Sequence, residues 1–164
     1  MKNKDSLYES LLNKILSFIS YSPRTEREVS KRIDRALVKK KMDGAEKQEL
    51  KEAVLEEVGN LKLLDDTSYA VGYVEGILRS GKKVSKRKLS DFLYKKGIDR
   101  ATAEKALSRY PTENESESIR SIIEKKRKTI RDSDPRVVKR KLATYLLGKG
   151  FASDQVFEEL EGLS

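Results

Sequence analysis

Residues 64–107, LDDTSYAVGYVEGILRSGKKVSKRKLSDFLYKKGIDRATAEKAL, decide the fold. Tyr69, Ala70, Tyr73, Val74, Ile77 and Leu78 fall in pairs four residues apart, the spacing of one face of an α-helix. Asp65-Asp66, immediately before them, suit an N-cap and the positive end of the helix dipole. Arg79 to Lys88 carries six basic residues and no acid. It leads into a second helix whose Leu89, Phe92 and Leu93 point inward while Arg87, Asp91 and Tyr94 point away. Lys96-Gly97-Ile98 stops that helix, because glycine enters the left-handed conformation without a Cβ penalty and the apolar residue after it folds back on the last turn. Asp99 opens a short third helix with Ala103, Ala106 and Leu107 inward, and Pro111 closes the unit.

Downstream the pattern returns. Leu89, Phe92, Leu93, Gly97, Ile98 and Leu107 correspond, at a shift of 53 residues, to Leu142, Tyr145, Leu146, Gly150, Phe151 and Leu160. The same roles at a fixed shift mark an internal repeat. Ile119, Ile122, Ile123 and Ile130 supply the first helix of that unit, with Lys125 to Lys128 on its exposed side. Between the two units PTENESES, residues 111–118, reads as an acidic linker with little to bury.

Upstream, Leu7, Leu11, Leu12, Ile15, Phe18 and Ile19 form one helical face that ends at Ser22-Pro23. Thr25 to Glu28 is a capping box opening a helix with Val29, Ile33, Ala36 and Leu37 inward. Asp43-Gly44 reads as a turn. Leu50, Val54, Val58 and Leu61 then line a third helix whose last turn Gly59 weakens. This unit fits more loosely, Val29 and Ile33 lying 60 residues before Leu89 and Leu93. The predicted fold is all-α: three tandem three-helix repeats of helix-turn-helix type at residues 1–63, 64–110 and 119–164, with the linker at 111–118.

Composition favours binding over catalysis. The 164 residues are 37% hydrophobic and 38% charged, a balance suited to slender helical modules. There is no cysteine and no histidine, so disulfides and thiolate metal sites are excluded and the commonest general base is missing. No nucleotide loop, nucleophile elbow or metal-ligand spacing occurs; the expectation is a non-enzyme with no cofactor and no metal. The polar opening MKNKDSLYES and the lack of a long apolar run predict a cytoplasmic protein without a membrane partner. The net charge of +9 calls for a polyanionic partner, nucleic acid or an acidic protein groove.

Arg79, Lys82, Lys83, Lys86, Arg87 and Lys88 are the leading candidates to meet it, with Lys139, Arg140 and Lys141 at the matching place in the third repeat. Tyr94 faces outward and is the stacking candidate, whereas Tyr69 and Tyr73 lie on the inward stripe. Arg24, Arg27, Lys31 and Arg32 alternate with Glu26, Glu28 and Asp34, a pattern that intrahelical pairing and partner binding explain equally well.

The motif Leu64-Asp65-Asp66 with Tyr69-Ala70, the Lys95 to Asp99 stop and Arg140-Lys141-Leu142 with Gly150-Phe151 together resemble the RecX family of bacterial regulators of the RecA recombinase. The first-unit box Thr25 to Glu28 with Val29 is similar to that family's S-x-x-E-L pattern, with valine in place of leucine. The resemblance covers about residues 7–162. It implies three homeodomain-like repeats in an elongated, curved monomer that lies in the groove of the RecA–single-stranded DNA filament and negatively modulates recombinase, ATPase and coprotease activity. It also implies roles in DNA repair, recombination and the SOS response, with weak binding to single- or double-stranded DNA by the protein alone. The competing expectation is a stand-alone helix-turn-helix DNA-binding protein, for which the outward residues Arg87, Asp91, Tyr94, Arg140, Thr144 and Leu147 are poor base readers.

Overall fold

The computed structural model describes residues 2–163, with side chains from Lys4 onward. The terminal residues 1 and 164 of the expected repeat bounds lie outside the described residues. Among those described, the chain forms nine helices and no strand: α1 (Lys2–Tyr21), α2 (Glu26–Leu37), α3 (Gly44–Asn60), α4 (Asp66–Ser80), α5 (Lys86–Lys95), α6 (Arg100–Leu107), α7 (Thr112–Arg127), α8 (Pro135–Gly148) and α9 (Ser153–Glu161). They succeed one another in threes, as the periodicity predicts. Packing groups them into two compact units, Met1–Tyr69 with Lys96–Asp99, and Ala70–Lys95 with Arg100–Ser164.

The first unit is centred on Leu11, Ile15, Val29, Ile33, Leu37, Leu50, Val54 and Val58, all buried. Val29 is fully covered and Gly59 stays helical, so neither disturbs this unit. Asp43 is not a free turn: its carboxylate accepts the Glu46 N–H at 2.8 Å while Glu46 accepts the Asp43 N–H at 3.2 Å, a second capping box. In the other unit, Ile119, Ile123, Leu142, Leu146, Phe151, Val156 and Leu160 form the core of α7 to α9.

Residues 111–118 are not a linker. Thr112 begins α7, and Glu115 and Ser118 are buried. Composition misled because the acidic residues have work inside the fold. Glu115 accepts the backbone N–H of Lys86, the first residue of α5, at 2.9 Å, and Ser118 donates back to the Asn114 carbonyl at 2.7 Å.

One local arrangement occurs twice. The Thr25 hydroxyl, the N-cap of α2, donates to the carbonyl of Lys96 at 2.6 Å; the Ser85 hydroxyl, before α5, donates to the carbonyl of Lys149 at 2.9 Å. Each acceptor precedes a stop glycine with φ of +89°, Gly97 or Gly150. Each α-helix so approached has its first N–H capped from outside, Glu26 by Asp66 (3.0 Å) and Lys86 by Glu115. The glycines serve close approach as well as backbone sign. A Cβ on Gly97 would stand 2.5 Å from Cβ of Arg27, and one on Gly150 would stand 3.0 Å from the Ser85 hydroxyl and 3.5 Å from Cβ of Arg87.

The first of these contacts also carries an ion pair. Lys96 Nζ donates to Glu28, both side chains being mostly covered. Burial pushes the Glu28 carboxyl up, but the Lys96 hydrogen bond, the Thr25 N–H and the nearby Lys96 and Arg24 charges outweigh it, and the net shift is downward. The bond to Glu28 raises Lys96.

Two predictions follow from this geometry. Gly97→Ala should destabilise the protein by about 1–3 kcal/mol in urea unfolding, from the left-handed φ and the Arg27 clash together, with Gly150→Ala less damaging; a loss below about 0.5 kcal/mol in both would contradict the close approach. Glu28 has a folded pKa below its unfolded one, so its contribution is present above the unfolded value and is lost as pH falls through the folded value. Lys96 has a folded pKa above its unfolded one, so its contribution is lost only as alkaline pH rises through that raised value. Lys96→Met should therefore cost on the order of 1 kcal/mol at neutral pH and almost nothing in acid, read from melting curves across pH.

Candidate polyanion interface

The loop from Arg79 to Lys88 is shaped by small polar residues before its charges come into play. Arg79 lies in the last turn of α4, where a cation suits the negative end of the dipole, and is exposed. Gly81 turns the chain with φ of +66°. The Ser80 hydroxyl accepts the Lys82 N–H at 3.4 Å, and the buried Tyr110 donates its hydroxyl to the Val84 carbonyl at 3.0 Å. Ser85 is fully buried and accepts the Lys88 N–H at 3.3 Å. Ser85 and Tyr110 therefore hold the backbone while Lys82, Arg87 and Lys88 remain exposed.

The six bases do not form the uncompensated cluster that local sequence predicts. Lys83 is half-buried and pairs with Glu117 at 2.6 Å, which lowers the Glu117 carboxyl from its ordinary value. Lys86 is half-buried, with Glu115 on its N–H. Arg87 lays its stem near Gly150. The missing acids come from the N-terminal half of α7, the segment taken for a linker; the two misreadings have one cause.

Lys82, Lys83 and Lys88 line a groove of about 560 Å³ together with Lys95, Lys149, Tyr73, Phe92, Tyr145 and a single acid, Asp91. Tyr73 and Phe92 stack in its wall, rings 4.1 Å apart and 12° from parallel. A second groove of about 670 Å³ is lined by Lys126, Arg131, Arg140, Lys141, Thr144 and Tyr145, with no acid. Lys141 is paired with Asp132 at 3.0 Å. Lys139 is half-buried and sits in neither of these grooves; it lines a neighbouring one with Arg136, Val138 and Leu142.

The third-repeat triplet also differs in its setting. Lys86, Arg87 and Lys88 begin α5, whereas α8 starts at Pro135, capped by Asp134, so Lys139, Arg140 and Lys141 lie a turn inside their helix. Tyr94 is 73% exposed on α5 and lines neither cationic groove. Tyr145, the counterpart of Phe92, is half-buried as Phe92 itself is, and borders both grooves. Lys126 and Lys149 stand over its ring at 4.6 and 5.1 Å from the centroid. Lys95, Lys149 and Arg131 escaped sequence reasoning. The available signal was a lysine directly before each stop glycine, which is where Lys96 and Lys149 stand.

Among the described residues no group of three or more acidic, histidine or cysteine side chains converges to hold a metal, and no helix is long and apolar enough to cross a membrane. The arrangement offers many ammonium and guanidinium donors on a pinned backbone beside aromatic rings. Such a lining can attract and hold anions.

A profile of the RecX third three-helix domain matches residues 112–160, from the start of α7 to the last turn of α9. The chain is 32% identical to the regulatory protein RecX of Finegoldia magna, over 97% of its own length and 78% of that protein. It is 31% identical to the regulatory protein RecX of Clostridium acetobutylicum, over 91% of its length and 66% of that protein, and 28% identical to that of Limosilactobacillus reuteri, over 91% and 53%. The chain thus spans between about half and two thirds of the length of the latter two relatives. A crystal structure of RecX from Lactobacillus salivarius superposes with a TM-score of 0.80 at 24% identity, covering 99% of this chain and 98% of that one. Another crystal structure, of regulatory protein RecX, gives 0.82 at 22% identity, over 98% and 74%. These two show the same all-helical fold, and the longer sequence matches carry the assignment further: the chain belongs to the RecX family of regulatory proteins.

Proposed function

We propose that this protein is a cytoplasmic, non-enzymatic regulator that binds RecA–single-stranded DNA filaments and lowers their recombinase, ATPase and coprotease activity. Family membership across nearly the whole chain is the observation that carries the reading. The physical setting supports it. The net charge of +9 is concentrated, in part, along two grooves whose linings hold nine cations and one acid, which favours a polyanionic assembly over a neutral ligand. No cofactor is needed for such a role, since the work is done by differential binding to the active filament. The relatives named above are called regulatory proteins, a description consistent with binding.

A stand-alone reader of duplex sequence gains no support from the surface. Asp91 would repel phosphate and base-edge acceptors alike, and Leu147 offers no hydrogen bond.

The test is DNA-dependent ATP hydrolysis by RecA at low salt with the purified protein added. Hydrolysis should slow at a few-fold molar excess, and Lys82→Glu with Lys88→Glu should raise the half-inhibitory concentration roughly tenfold, because both side chains are exposed and neither holds the fold. Undiminished hydrolysis at every excess would overturn the proposal.

A further inference from the structure

Tyr145 is the point at which the two cationic grooves of the second unit meet. Two lysines from different parts of that unit converge on its ring, Lys126 from α7 and Lys149 from the turn after α8. Neither is in an ion pair among the described residues, and nor are Lys82, Lys88, Lys95, Arg131 and Arg140. An aromatic face holds an ammonium group in place without cancelling its charge, as a carboxylate would. Both lysines are also fixed at the backbone. The Lys149 carbonyl accepts the buried Ser85 hydroxyl at 2.9 Å, and the Lys126 carbonyl accepts from the Thr129 hydroxyl at 2.8 Å.

Like charges gathered on one ring repel each other, and nothing else in the described fold relieves that repulsion. A chain of phosphates would. The two linings share Tyr145, and a flexible backbone can reach from one groove into the other. A duplex, stiff over tens of base pairs, adapts less readily to two separate grooves.

We propose that the groove running past Tyr145 is a binding site for a single nucleic-acid strand, in which Lys126 and Lys149 contact successive phosphates and Tyr145 is the positioning residue that holds both ammonium groups. This deepens the proposed function, and rests on it, by assigning this groove to the strand and not to the recombinase subunits.

The experiment is fluorescence anisotropy of a fluorescein-labelled oligothymidylate titrated with the full chain, without recombinase, across a range of salt. Affinity should fall linearly in a log–log plot, and Lys126→Gln with Lys149→Gln should flatten the slope by about 1.4, two phosphate contacts at roughly 0.7 each. Tyr145→Leu should weaken binding roughly three- to tenfold while Tyr145→Phe, which keeps the ring, should stay within about twofold of wild type. Should Tyr145→Leu fail to fold by circular dichroism, the lysine pair, both on the surface, decides alone. An unchanged slope in the lysine variant, tighter binding of a duplex of equal length, or equal competition by polyglutamate would each overturn the site. Failure to bind the strand with RecA ATP hydrolysis still slowed would overturn this inference alone; strand binding without such slowing would overturn the proposed function and leave the groove as a strand site.

Discussion

A buried hydroxyl that donates to the carbonyl before a left-handed glycine is the contact on which the other features depend. Thr25 reaches Lys96 and Ser85 reaches Lys149, and in both places the neighbouring helix lends its first N–H to a carboxylate from another part of the chain. A helix start has unsatisfied N–H groups and a glycine turn has unsatisfied carbonyls. Bringing the two together satisfies both without water, provided the turn has no side chain in the way. Gly97 and Gly150 meet that condition, a Cβ being crowded by Arg27 at the first and by the Ser85 hydroxyl at the second. The glycine is thus specified twice over, by its φ and by its neighbour.

The same contact decides where charge stands. Three basic residues at the start of α5 oppose the positive end of that helix's dipole, an arrangement that costs stability unless acids compensate. Glu115 does so from within, buried against the Lys86 N–H, and Glu117 does so at the surface on Lys83. The compensation is selective. It caps the first N–H of α5 and pairs Lys83, and leaves Lys82 and Lys88 exposed along the groove. In the first unit the comparable position carries Glu28, which serves its own helix and Lys96 together, so that region keeps an ion pair where the other unit keeps unpaired charge.

Helix positions and the repeat were legible because they depend on spacing alone. The Tyr69 to Leu78 stripe, the glycine stops and the Thr25 box give α2, α4, α5 and α8 from periods and caps. What was illegible depends on distance in sequence. PTENESES reads as solvated acid until Lys86, 29 residues earlier, is known to need a carboxylate. Asp43-Gly44 passed for a turn although Glu46 completes a capping box, a local signal overlooked in favour of the glycine. Tyr145 took its expected place in α8, half-buried like Phe92, but the two lysines over its ring, Lys126 and Lys149, come from other parts of the chain and could not be read from its own helix. The grooves themselves, made from residues between 73 and 151, could be found only in three dimensions.

Ser85 and Gly150 act as one unit, the glycine making room for the hydroxyl's bond to Lys149. A double-mutant cycle of Ser85→Ala and Gly150→Ala by urea denaturation measures that directly. If the two act together, either change alone disrupts the contact and the double variant loses at least about 1 kcal/mol less than the two single losses added. Additivity within about 0.5 kcal/mol would contradict it, because sites that share no interaction contribute independently.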